Sequence, residues 1–285
     1  MKNILITGTK GQLGNEIKQI SNNFKHSFFF TDVEELDITK EKKIGEFVKA
    51  NKIDLIINCA AYTAVDKAEK DFDGAHLINV IGVKNLNKVC INNDIPLIHI
   101  STDYVFDGRN FIPYKETDQT NPQSIYGTTK LKGEEILADN KKCIIIRTSW
   151  LYSSFGNNFV KTIIKIAEEN EQILVVDDQI GSPTYAHDLG KACLEIADQL
   201  FQQKKIYFGI YHYSNEGVCS WFDFAKTIVE IKKIQTKVIP VDSSAFPRPA
   251  PRPHYSVLNK SKIKTNFNIE IPYWKDSLIT CMSKI

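Results

Sequence analysis

The sequence predicts an α/β protein: a Rossmann-type, doubly wound parallel sheet with a smaller C-terminal lobe. Three observations predict this fold class. The strand-like segments are nearly continuous runs of Ile, Leu and Val, as in strands that helices cover on both faces. Helical segments alternate with these strands, which is the pattern of βαβ units. The first strand leads directly into a glycine-rich loop, Gly8 to Gly14, and a helix follows.

Strands and helices alternate through the first two thirds of the chain. We expect strands at Asn3–Thr7, Ser27–Thr31, Asp54–Asn58, Pro96–Ser101, Cys143–Ser149 and Gln172–Val176. We expect helices between them at Gly14–Ile20, Lys40–Asn51 and Phe72–Asn93. The pattern loosens after residue 150. We therefore divide the chain into a Rossmann domain at 1–150 and a lobe at 151–285, some segments of which return to the sheet.

The second part of the chain is predicted to hold more helix than strand. Helices are expected at Asn157–Asn170, Ala186–Phe201, Trp221–Lys233 and Trp274–Met282, and a short strand at Gly209–Ser214. Between them, the segment from Phe246 to Pro253 carries proline at alternate positions, which excludes a helix or a central strand. It is either a flexible linker or an ordered loop packed against a site. Globular sequence resumes at Tyr255, which favours the ordered loop.

Composition limits the class of protein. A chain of 285 residues corresponds to about two domains at roughly 150 residues each. The net charge of +2 argues against a nucleic-acid binder, which needs a basic face. No apolar run reaches the roughly 18 residues of a membrane span, and no signal peptide begins the sequence. The six cysteines lack zinc spacing, so we expect reduced thiols in a cytoplasmic protein that does not contact a membrane.

The glycine loop carries the first functional signal. Gly8, Gly11 and Gly14 form the pattern G-x-x-G-x-x-G. Glycines permit a tight turn and let a pyrophosphate approach the backbone, where the N–H groups of the helix N-terminus face its charge. The alternative is a purely structural turn. The position of the loop at the first strand–helix junction favours a dinucleotide site, and makes 1–150 the dinucleotide-binding domain.

Acidic and small residues follow the next strands. Asp32 ends the second strand, where a carboxylate binds ribose hydroxyls, and its charge disfavours a 2′-phosphate. Asp37 either lies near the adenine or caps the following helix, and both interpretations stay open. Ala60 and Ala61, with Tyr62, follow the third strand and leave room for the cofactor.

Tyr126 and Lys130 carry the catalytic signal. Their spacing places both side chains on one helix face. An ammonium beside a phenol lowers the tyrosine pKa from about 10, so that Tyr126 can deliver a proton when a ketone is reduced. The lysine could also hydrogen-bond the nicotinamide ribose. Ser101 or Thr102, at the end of the fourth strand, could donate to the substrate oxygen, or one of them could cap a turn. His99, inside that strand, is interpreted as a core histidine.

Together these motifs resemble the extended short-chain dehydrogenase/reductases and, more narrowly, the dTDP-4-dehydrorhamnose reductase family. The motifs that carry the resemblance are Gly-Gln-Leu-Gly at 11–14, Asn-Cys-Ala-Ala-Tyr-Thr-Ala-Val-Asp-Lys-Ala-Glu at 58–69, Ser-Thr-Asp-Tyr-Val-Phe-Asp-Gly at 101–108, Tyr-Gly-Thr-Thr-Lys-Leu-Lys-Gly-Glu at 126–134, Arg-Thr-Ser-Trp-Leu-Tyr at 147–152, Gly-Asn-Asn-Phe at 156–159, Asp-Gln-Ile-Gly-Ser-Pro-Thr at 178–184 and Arg-Pro-His-Tyr-Ser-Val-Leu at 252–258. They span nearly the whole chain. The resemblance implies that NADPH or NADH reduces the C4 ketone of dTDP-4-dehydro-L-rhamnose, in dTDP-rhamnose and cell-surface polysaccharide biosynthesis, with 151–285 mostly a nucleotide-sugar lobe.

The resemblance also implies a role for each matching residue. The implied cofactor-binding residues are Gly8, Gly11, Gln12, Leu13, Asp32, Asp37, Ile38, Ala60, Ala61, Tyr62, Tyr126 and Lys130. The implied substrate-binding residues are Thr102, Asp103, Trp150, Asn158, Thr184 and Arg252. Tyr126 is the implied proton donor, and Lys130 and Thr102 complete the catalytic set. An aromatic face such as that of Trp150 suits a deoxysugar, and the guanidinium fork of Arg252 suits phosphate.

Metal, assembly and two alternative functions complete the sequence-based expectations. The family includes members described with carboxylate-bound magnesium between subunits. Glu16 could be one ligand, but His187 stands where a second carboxylate is expected, so we predict no metal and a monomer or homodimer. The alternatives are a non-catalytic subunit like the β subunit of methionine adenosyltransferase, and a reductase or epimerase of another nucleotide sugar. The intact Tyr126, Lys130 and Thr102 favour catalysis.

Overall fold

A six-stranded parallel sheet lies at the centre of the protein. The computed structural model describes residues 1–202 and 207–285. The sheet strands are β1 Asn3–Thr7, β2 Ser27–Thr31, β3 Leu55–Asn58, β4 Leu97–Thr102, β5 Cys143–Thr148 and β10 Gly209–His212. They lie side by side in the order β2–β1–β3–β4–β5–β10, and each neighbouring pair is parallel. The predicted fold class is confirmed.

The remaining elements cover the sheet or build the lobe. The helices are α1 Gln12–Ile20, α2 Glu41–Ala50, α3 Val65–Ala68, α4 Phe72–His76, α5 Val83–Asn93, α6 Ile125–Leu137, α7 Phe159–Glu169, α8 Ala186–Phe201, α9 Trp221–Lys232, α10 Ser261–Phe267 and α11 Trp274–Met282. A π-helical segment, Leu77–Gly82, joins α4 to α5, so the predicted long helix is interrupted by one change of winding. The short strands outside the central sheet are β6 Leu151–Tyr152, β7 Gln172–Val176, β8 Ile180–Gly181, β9 Thr184–Tyr185, β11 Cys219–Ser220 and β12 Lys237–Val241.

Burial on both faces explains the apolar strands. In β1, Ile4 and Ile6 belong to the core beneath α1 and α8, whereas Leu5 belongs to the core beneath α2 and α5. All three side chains are fully buried. Successive strand residues point to opposite faces, so a sheet that helices cover on both sides needs apolar residues at every position.

The lobe has a core of its own and corrects one predicted strand. Gln172–Val176 does not join the central sheet; it pairs in parallel with Lys237–Val241. Its burial alternates, with Ile173 and Val175 inside and Leu174 exposed, as expected when only one face is covered. A short apolar run does not reveal which sheet it will enter, and the sequence analysis missed the strand at Lys237–Val241.

Two global properties follow from the described residues. Helices within 1–202 and 207–285 include none with the 18-residue apolar stretch required to cross a bilayer. All six cysteines are free thiols, and all except Cys59 are buried.

A buried ion pair fixes α6 against the sheet. Glu134 on α6 accepts hydrogen bonds from the Arg147 guanidinium on β5, at 3.0 Å from Nε and 2.6 Å from Nη2. Both side chains are 3% exposed. The Ser101 hydroxyl of β4 donates to the same carboxylate. Three elements therefore meet at one desolvated charge pair.

We predict that Arg147→Met lowers the free energy of unfolding by about 3–5 kcal/mol, because the variant leaves the Glu134 carboxylate buried without its counter-charge. Urea denaturation measures this loss. The matched control is Lys42→Met, which breaks an exposed pair with Glu46 and is expected to change stability by less than about 0.5 kcal/mol.

The double variant Arg147→Met, Glu134→Leu tests the cause of that loss. Removing both charges is expected to recover most of the stability, since apolar side chains of similar volume often replace a buried pair without loss. If the single variant cost less than about 1 kcal/mol, the pair would not hold α6 in place.

Candidate active site

The glycine loop lies where the strand order of the sheet reverses, between the C-terminal ends of β1 and β3. Parallel sheets bind ligands at such a point. Gly8 has φ +66°, and a Cβ there would lie 2.6 Å from the Ala60 backbone. Gly11 is the N-cap of α1 and its N–H donates to the Gly8 carbonyl at 3.1 Å. No side chain caps the first turn of α1, so its N–H groups are open to a pyrophosphate.

Asp32 holds the glycine loop in place. Its Oδ2 accepts a hydrogen bond from the Lys10 N–H and its Oδ1 one from the Val33 N–H, both at 2.8 Å. The Lys10 ammonium pairs with Glu34 at the surface. Asp32 thus ties the end of β2 to the loop after β1. Its predicted contact with a ribose hydroxyl stays a prediction.

The structure resolves the two interpretations of Asp37 in part. Helix α2 begins at Glu41 with Lys40 as its N-cap, so the capping interpretation of Asp37 is wrong. Its carboxylate instead accepts from the Thr39 N–H at 2.9 Å, within the turn that precedes the helix. The neighbouring Ile38 is buried against Gly82. Aspartate favours both turns and helix N-caps, and Asp37 stabilises a turn here instead of capping α2.

The loop after β3 is clamped to α6, the helix that carries Tyr126 and Lys130. The Asn79 side chain accepts from the Tyr62 N–H at 2.9 Å and donates to the Tyr62 carbonyl at 3.1 Å. The same side chain donates to the Thr129 hydroxyl at 3.1 Å. Ala60 and Ala61 lie in this loop and are half-buried. The predicted cofactor path is therefore rigidly connected to α6.

The Lys130 ammonium lies beneath the C-terminal end of β4. Its Nζ donates to the Ile100 carbonyl at 2.7 Å and lies 3.3 Å from His99 Nε2. Burial lowers the pKa of Lys130 to about 8, while the Glu134 carboxylate acts to raise it.

The Tyr126 phenol corrects one expectation. Burial raises the pKa of Tyr126 to about 12, and the neighbouring Thr102 hydroxyl only partly opposes this. The predicted lowering by the lysine is wrong, because burial dominates the pKa of Tyr126; the one Lys130 donor that the structure engages goes to the Ile100 carbonyl. A phenol with a high pKa keeps its proton until a stronger base forms beside it, which suits a proton donor.

The two hydroxyls at the end of β4 have different partners. Ser101 donates to the buried Glu134, so it serves the ion pair and not the site. The Thr102 hydroxyl donates to Asp103 Oδ1 at 3.0 Å and accepts from the Tyr104 N–H at 3.2 Å. The structure therefore selects Thr102 over Ser101 as the hydroxyl beside Tyr126.

A cavity of about 660 Å³ opens beside Tyr104, whose ring packs against that of Tyr126. The aromatic, polar and charged side chains in its lining that bear on ligand binding are Tyr104, Trp150, Gln179, Trp221, Arg252 and Ser256. The indoles of Trp150 and Trp221 stack with centroids 3.6 Å apart. Trp150 has φ +48°, and a Cβ at Gly181 would lie 2.5 Å from its ring. Such backbone strain concentrates at ligand sites, and it holds this aromatic face at the cavity.

The proline-rich segment is an ordered loop that closes one side of the cavity. The Arg252 guanidinium pairs with Asp66 at 2.7 Å and donates to the Ala250 carbonyl at 3.1 Å. The Ile180 N–H donates to the His254 carbonyl at 2.8 Å. The linker interpretation is wrong, because hydrogen bonds hold Ala250 and Arg252 within the segment and His254 directly after it.

Three predicted site residues have other contacts in this structure. Asn158 caps α7 and donates to Gln12 Oε1 at 3.0 Å, joining the lobe to the glycine loop. Leu13 is buried in the core beneath α1. Thr184 is fully buried in β9 and its hydroxyl accepts from Thr148. The structure does not bring Asn158 or Thr184 to the cavity.

The position considered for a metal is filled by protein contacts. Glu16 is fully buried, its Oε1 accepts from the Ser153 hydroxyl at 2.6 Å, and His187 Nδ1 lies 3.4 Å from its Oε2. Within the part of the chain that the structure describes, no group of three metal-ligating side chains occurs. The prediction that no metal binds stays a prediction.

Sequence reasoning missed three residues of the site. Asp66 orients Arg252, Trp221 stacks on Trp150, and Asn58 contacts His99 at 2.9 Å. Asn58 had a visible signal, since it is the polar end of an apolar strand. The other two are distant in sequence from the residues they contact, so no local pattern could pair them.

Comparison with known proteins agrees with this geometry. The whole chain, residues 1–285, matches the family described as RmlD substrate binding domain. A dTDP-4-dehydrorhamnose reductase from Aggregatibacter actinomycetemcomitans is 38% identical, over 98% of this chain and 97% of that protein. A spore coat polysaccharide biosynthesis protein of Bacillus subtilis is also 38% identical, over 98% of this chain and 96% of that protein.

Solved structures give the same result. A dTDP-4-dehydrorhamnose reductase from Clostridium acetobutylicum is 42% identical with a TM-score of 0.93, over 99% of this chain and 98% of that one. A dTDP-4-dehydrorhamnose reductase from Bacillus anthracis, solved in complex with NADP, is 39% identical with a TM-score of 0.93 over the full length of both chains. This chain belongs to the dTDP-4-dehydrorhamnose reductase family, matched along its whole length by the RmlD substrate binding domain.

Proposed function

We propose that this protein is a dTDP-4-dehydrorhamnose reductase, which reduces the C4 ketone of dTDP-4-dehydro-L-rhamnose to dTDP-L-rhamnose in dTDP-rhamnose biosynthesis. One observation carries the proposal. Tyr126 lies beside Thr102 at the end of β4 and Lys130 bonds the Ile100 carbonyl of the same strand, while the ring of Tyr126 packs on Tyr104, which lines a cavity together with Trp150 and Arg252. A glycine loop suited to a dinucleotide follows β1 of the same sheet. A non-catalytic subunit would not require an intact Tyr126–Lys130 pair beside such a cavity.

NADPH or NADH fits the loop and helix end described above, and when bound supplies the hydride for C4. The residues that hold it are Gly8, Gly11, Gln12 and Lys130, with Asp32 at the adenosine half. The chain supplies the proton. Tyr126 keeps its phenolic proton, since burial raises its pKa to about 12, and gives it to O4 as negative charge develops there.

Two further groups assist at the reacting oxygen. Thr102 is held beside Tyr126 by Asp103 and the Tyr104 N–H. Its single O–H donates to Asp103 Oδ1 in this structure, so it must turn toward O4 to act as a donor there. A donor already held at that place stabilises an oxyanion better than mobile water does. Lys130, anchored on the Ile100 carbonyl, has donors left for the nicotinamide ribose.

The cavity suits a sugar nucleotide. The indole of Trp150 offers an apolar face to the deoxysugar, and the guanidinium of Arg252 can bind a diphosphate oxygen. Asp66 holds that guanidinium in position. We propose that the protein acts in the cytoplasm, where nicotinamide cofactor and nucleotide sugar are both available, as a monomer or homodimer. The test of the function is turnover: consumption of NADPH or NADH with a panel of nucleotide ketosugars.

We predict that Tyr126→Phe lowers kcat by about 10²- to 10⁴-fold, because it removes the positioned proton donor. Cofactor affinity, measured by fluorescence titration, is expected to change little, since the phenyl ring fills the same space. The matched control is Tyr152→Phe, which removes a phenol hydroxyl that has no hydrogen-bond partner in the lobe core and is expected to keep the wild-type rate. If Tyr126→Phe kept more than about half of kcat, with chemistry limiting, Thr102 would be the next candidate.

We predict that Arg252→Ala raises the substrate KM by about 10- to 100-fold, the loss expected for a charged hydrogen bond, with little effect on NADPH affinity. Initial rates give the KM and fluorescence titration gives the affinity. Asp66→Asn is expected to produce part of the same increase, because the guanidinium loses its orienting partner. The control is Arg109→Ala, an exposed arginine outside the Trp150 cavity. An unchanged KM in Arg252→Ala would remove the proline loop from the substrate site.

We predict that Asp103 makes stability depend on pH. Burial raises its pKa to about 6, although hydrogen bonds from Ser256 and Thr102 oppose this. Between about pH 4, the unfolded value, and about pH 6, the native state binds more protons than the unfolded state. The stabilising effect of the protonated form is therefore complete at the low end of this window and is lost as pH rises through about 6.

Asp103→Asn is the variant that isolates this effect. The difference in unfolding free energy between Asp103→Asn and wild type is expected to shift in favour of the variant from about pH 4 to about pH 6, and then to level off. Urea denaturation across that range measures the difference. A difference that does not vary with pH would show that Asp103 titrates normally.

A further inference from the structure

His99 has no role in the function proposed above, yet it lies directly beneath the catalytic lysine. It is 1% exposed, inside β4. Its Nδ1 lies 2.9 Å from Asn58 Nδ2 and its Nε2 lies 3.3 Å from Lys130 Nζ. A neutral imidazole carries one proton on one of these nitrogens. Which nitrogen carries it decides whether Lys130 faces an acceptor or a donor.

The orientation of the Asn58 amide follows from its other contacts. The Ala60 N–H donates to Asn58 Oδ1 at 3.2 Å, and the Thr7 hydroxyl donates to the same oxygen at 2.6 Å. A backbone N–H can only donate, so the group it meets must be the carbonyl oxygen of the amide. The NH₂ group of Asn58 therefore faces His99, and it too can only donate.

The tautomer of His99 follows from that donor. Nδ1 must accept the hydrogen bond from Asn58, so the single ring proton lies on Nε2. Burial and the Lys130 charge both lower the pKa of His99 well below its usual value, which keeps the ring neutral. We propose that Asn58 locks His99 in the Nε2–H tautomer, and that His99 is a positioning residue which turns the donors of Lys130 away from the sheet.

The Nε2–H tautomer of His99 determines which hydrogen bonds the Lys130 ammonium can make. The ammonium has three donors, and one goes to the Ile100 carbonyl. An Nε2–H group cannot accept a second donor, so two remain for the cofactor ribose and Tyr126. In the opposite tautomer, Nε2 would accept one of them and draw the ammonium into the sheet. The inference rests on the proposed function, because that function gives Lys130 its task.

The other ionisable groups around Lys130 do not depend on Asn58. Glu134, on the same helix, raises the pKa of Lys130 and is itself neutralised by Arg147 of β5. On the side of the cavity, the groups that titrate are Tyr126 and Asp103. A change at Asn58 leaves all of these in place, so a shift in the titration of Lys130 can be traced to His99 and to residue 58.

The first experiment reads the tautomer directly. Two-bond ¹H–¹⁵N spectra of the full chain labelled with ¹⁵N-histidine show which ring nitrogen carries the proton, and His99→Gln identifies the signal. The expected result at neutral pH is a neutral His99 protonated on Nε2. A ring protonated on Nδ1, or a charged ring, would overturn the proposal.

The second experiment uses Asn58→Asp to move the ring proton of His99 from Nε2 to Nδ1. A carboxylate at this position accepts from Nδ1, so the proton moves there and Nε2 becomes an acceptor for Lys130. We expect the Kd for NADPH to rise about tenfold, and the alkaline limb of the pH–rate profile to move to higher pH. The added carboxylate raises the pKa of Lys130 by its charge alone, so the uncharged variant His99→Gln must move that limb as well. A merely structural role would leave the limb of His99→Gln unmoved.

The matched control is Thr7→Val, which removes one donor to Asn58 Oδ1 and leaves the Ala60 N–H to fix the amide. It is expected to keep the tautomer and to leave the NADPH Kd within about twofold. If Asn58→Asp reversed the tautomer without changing the Kd or the alkaline limb, His99 would not position Lys130.

A fallback variant, and measurements that need no sugar nucleotide, keep failure of this inference distinct from failure of the proposed function. If Asn58→Asp does not fold, His99→Gln gives the second measurement: its amide can turn a carbonyl toward Lys130, so the alkaline limb is expected to rise, and an unmoved limb would contradict the positioning role. The spectra and the NADPH titration need no sugar nucleotide. A locked tautomer in a protein that fails to reduce dTDP-4-dehydrorhamnose would therefore count against the proposed function alone.

Discussion

The buried ion pair between Glu134 and Arg147 is the contact on which the site geometry depends. It joins α6, which carries Tyr126 and Lys130, to β5, and through Ser101 to β4, which carries Thr102. A charge buried in a protein interior is tolerated only with a partner in good geometry, so the pair leaves α6 little freedom to slide or rotate. The phenol, the ammonium and the threonine hydroxyl therefore have fixed relative positions.

A second constraint comes from the sheet itself. The strand order reverses between β1 and β3, so the helices that follow these two strands cover opposite faces of the sheet and a crevice opens at the C-terminal ends of the strands. Gly8 lets the two loops approach within contact distance of each other, and Asn79 ties the loop after β3 to α6. The glycine loop and α6 are thus parts of one rigid frame, as the proposed hydride transfer over a short distance requires.

The substrate side is built from distant parts of the chain. Asp66 follows β3, Trp150 follows β5, and Arg252 belongs to the proline-rich loop, yet all three meet at one cavity. Proline suits this loop because it fixes the backbone without requiring hydrogen-bond partners for its nitrogens. The loop is rigid from its own composition, and the Arg252–Asp66 pair anchors it over the site.

The chain's local chemistry determined much of this protein. Apolar runs at every strand position required a sheet covered on both faces, and the glycines of Gly8–Gly14 allowed a tight turn into a helix whose first turn no side chain caps. Tyr126 and Lys130 share a face because four residues make about one helical turn. These features are visible in sequence because each depends on neighbours within a few residues.

Tertiary structure alone decided the rest. Gln172–Val176 entered a separate small sheet because strand pairing depends on a partner 65 residues away, at Lys237–Val241. The Tyr126 pKa rose because burial outweighs the hydrogen bond from Thr102. Ser101 bonds Glu134 and does not face the site. Asn58 sets the tautomer of His99. Burial, charge pairing and proton position are set by groups that are distant in sequence and adjacent in space, so no local pattern specifies them.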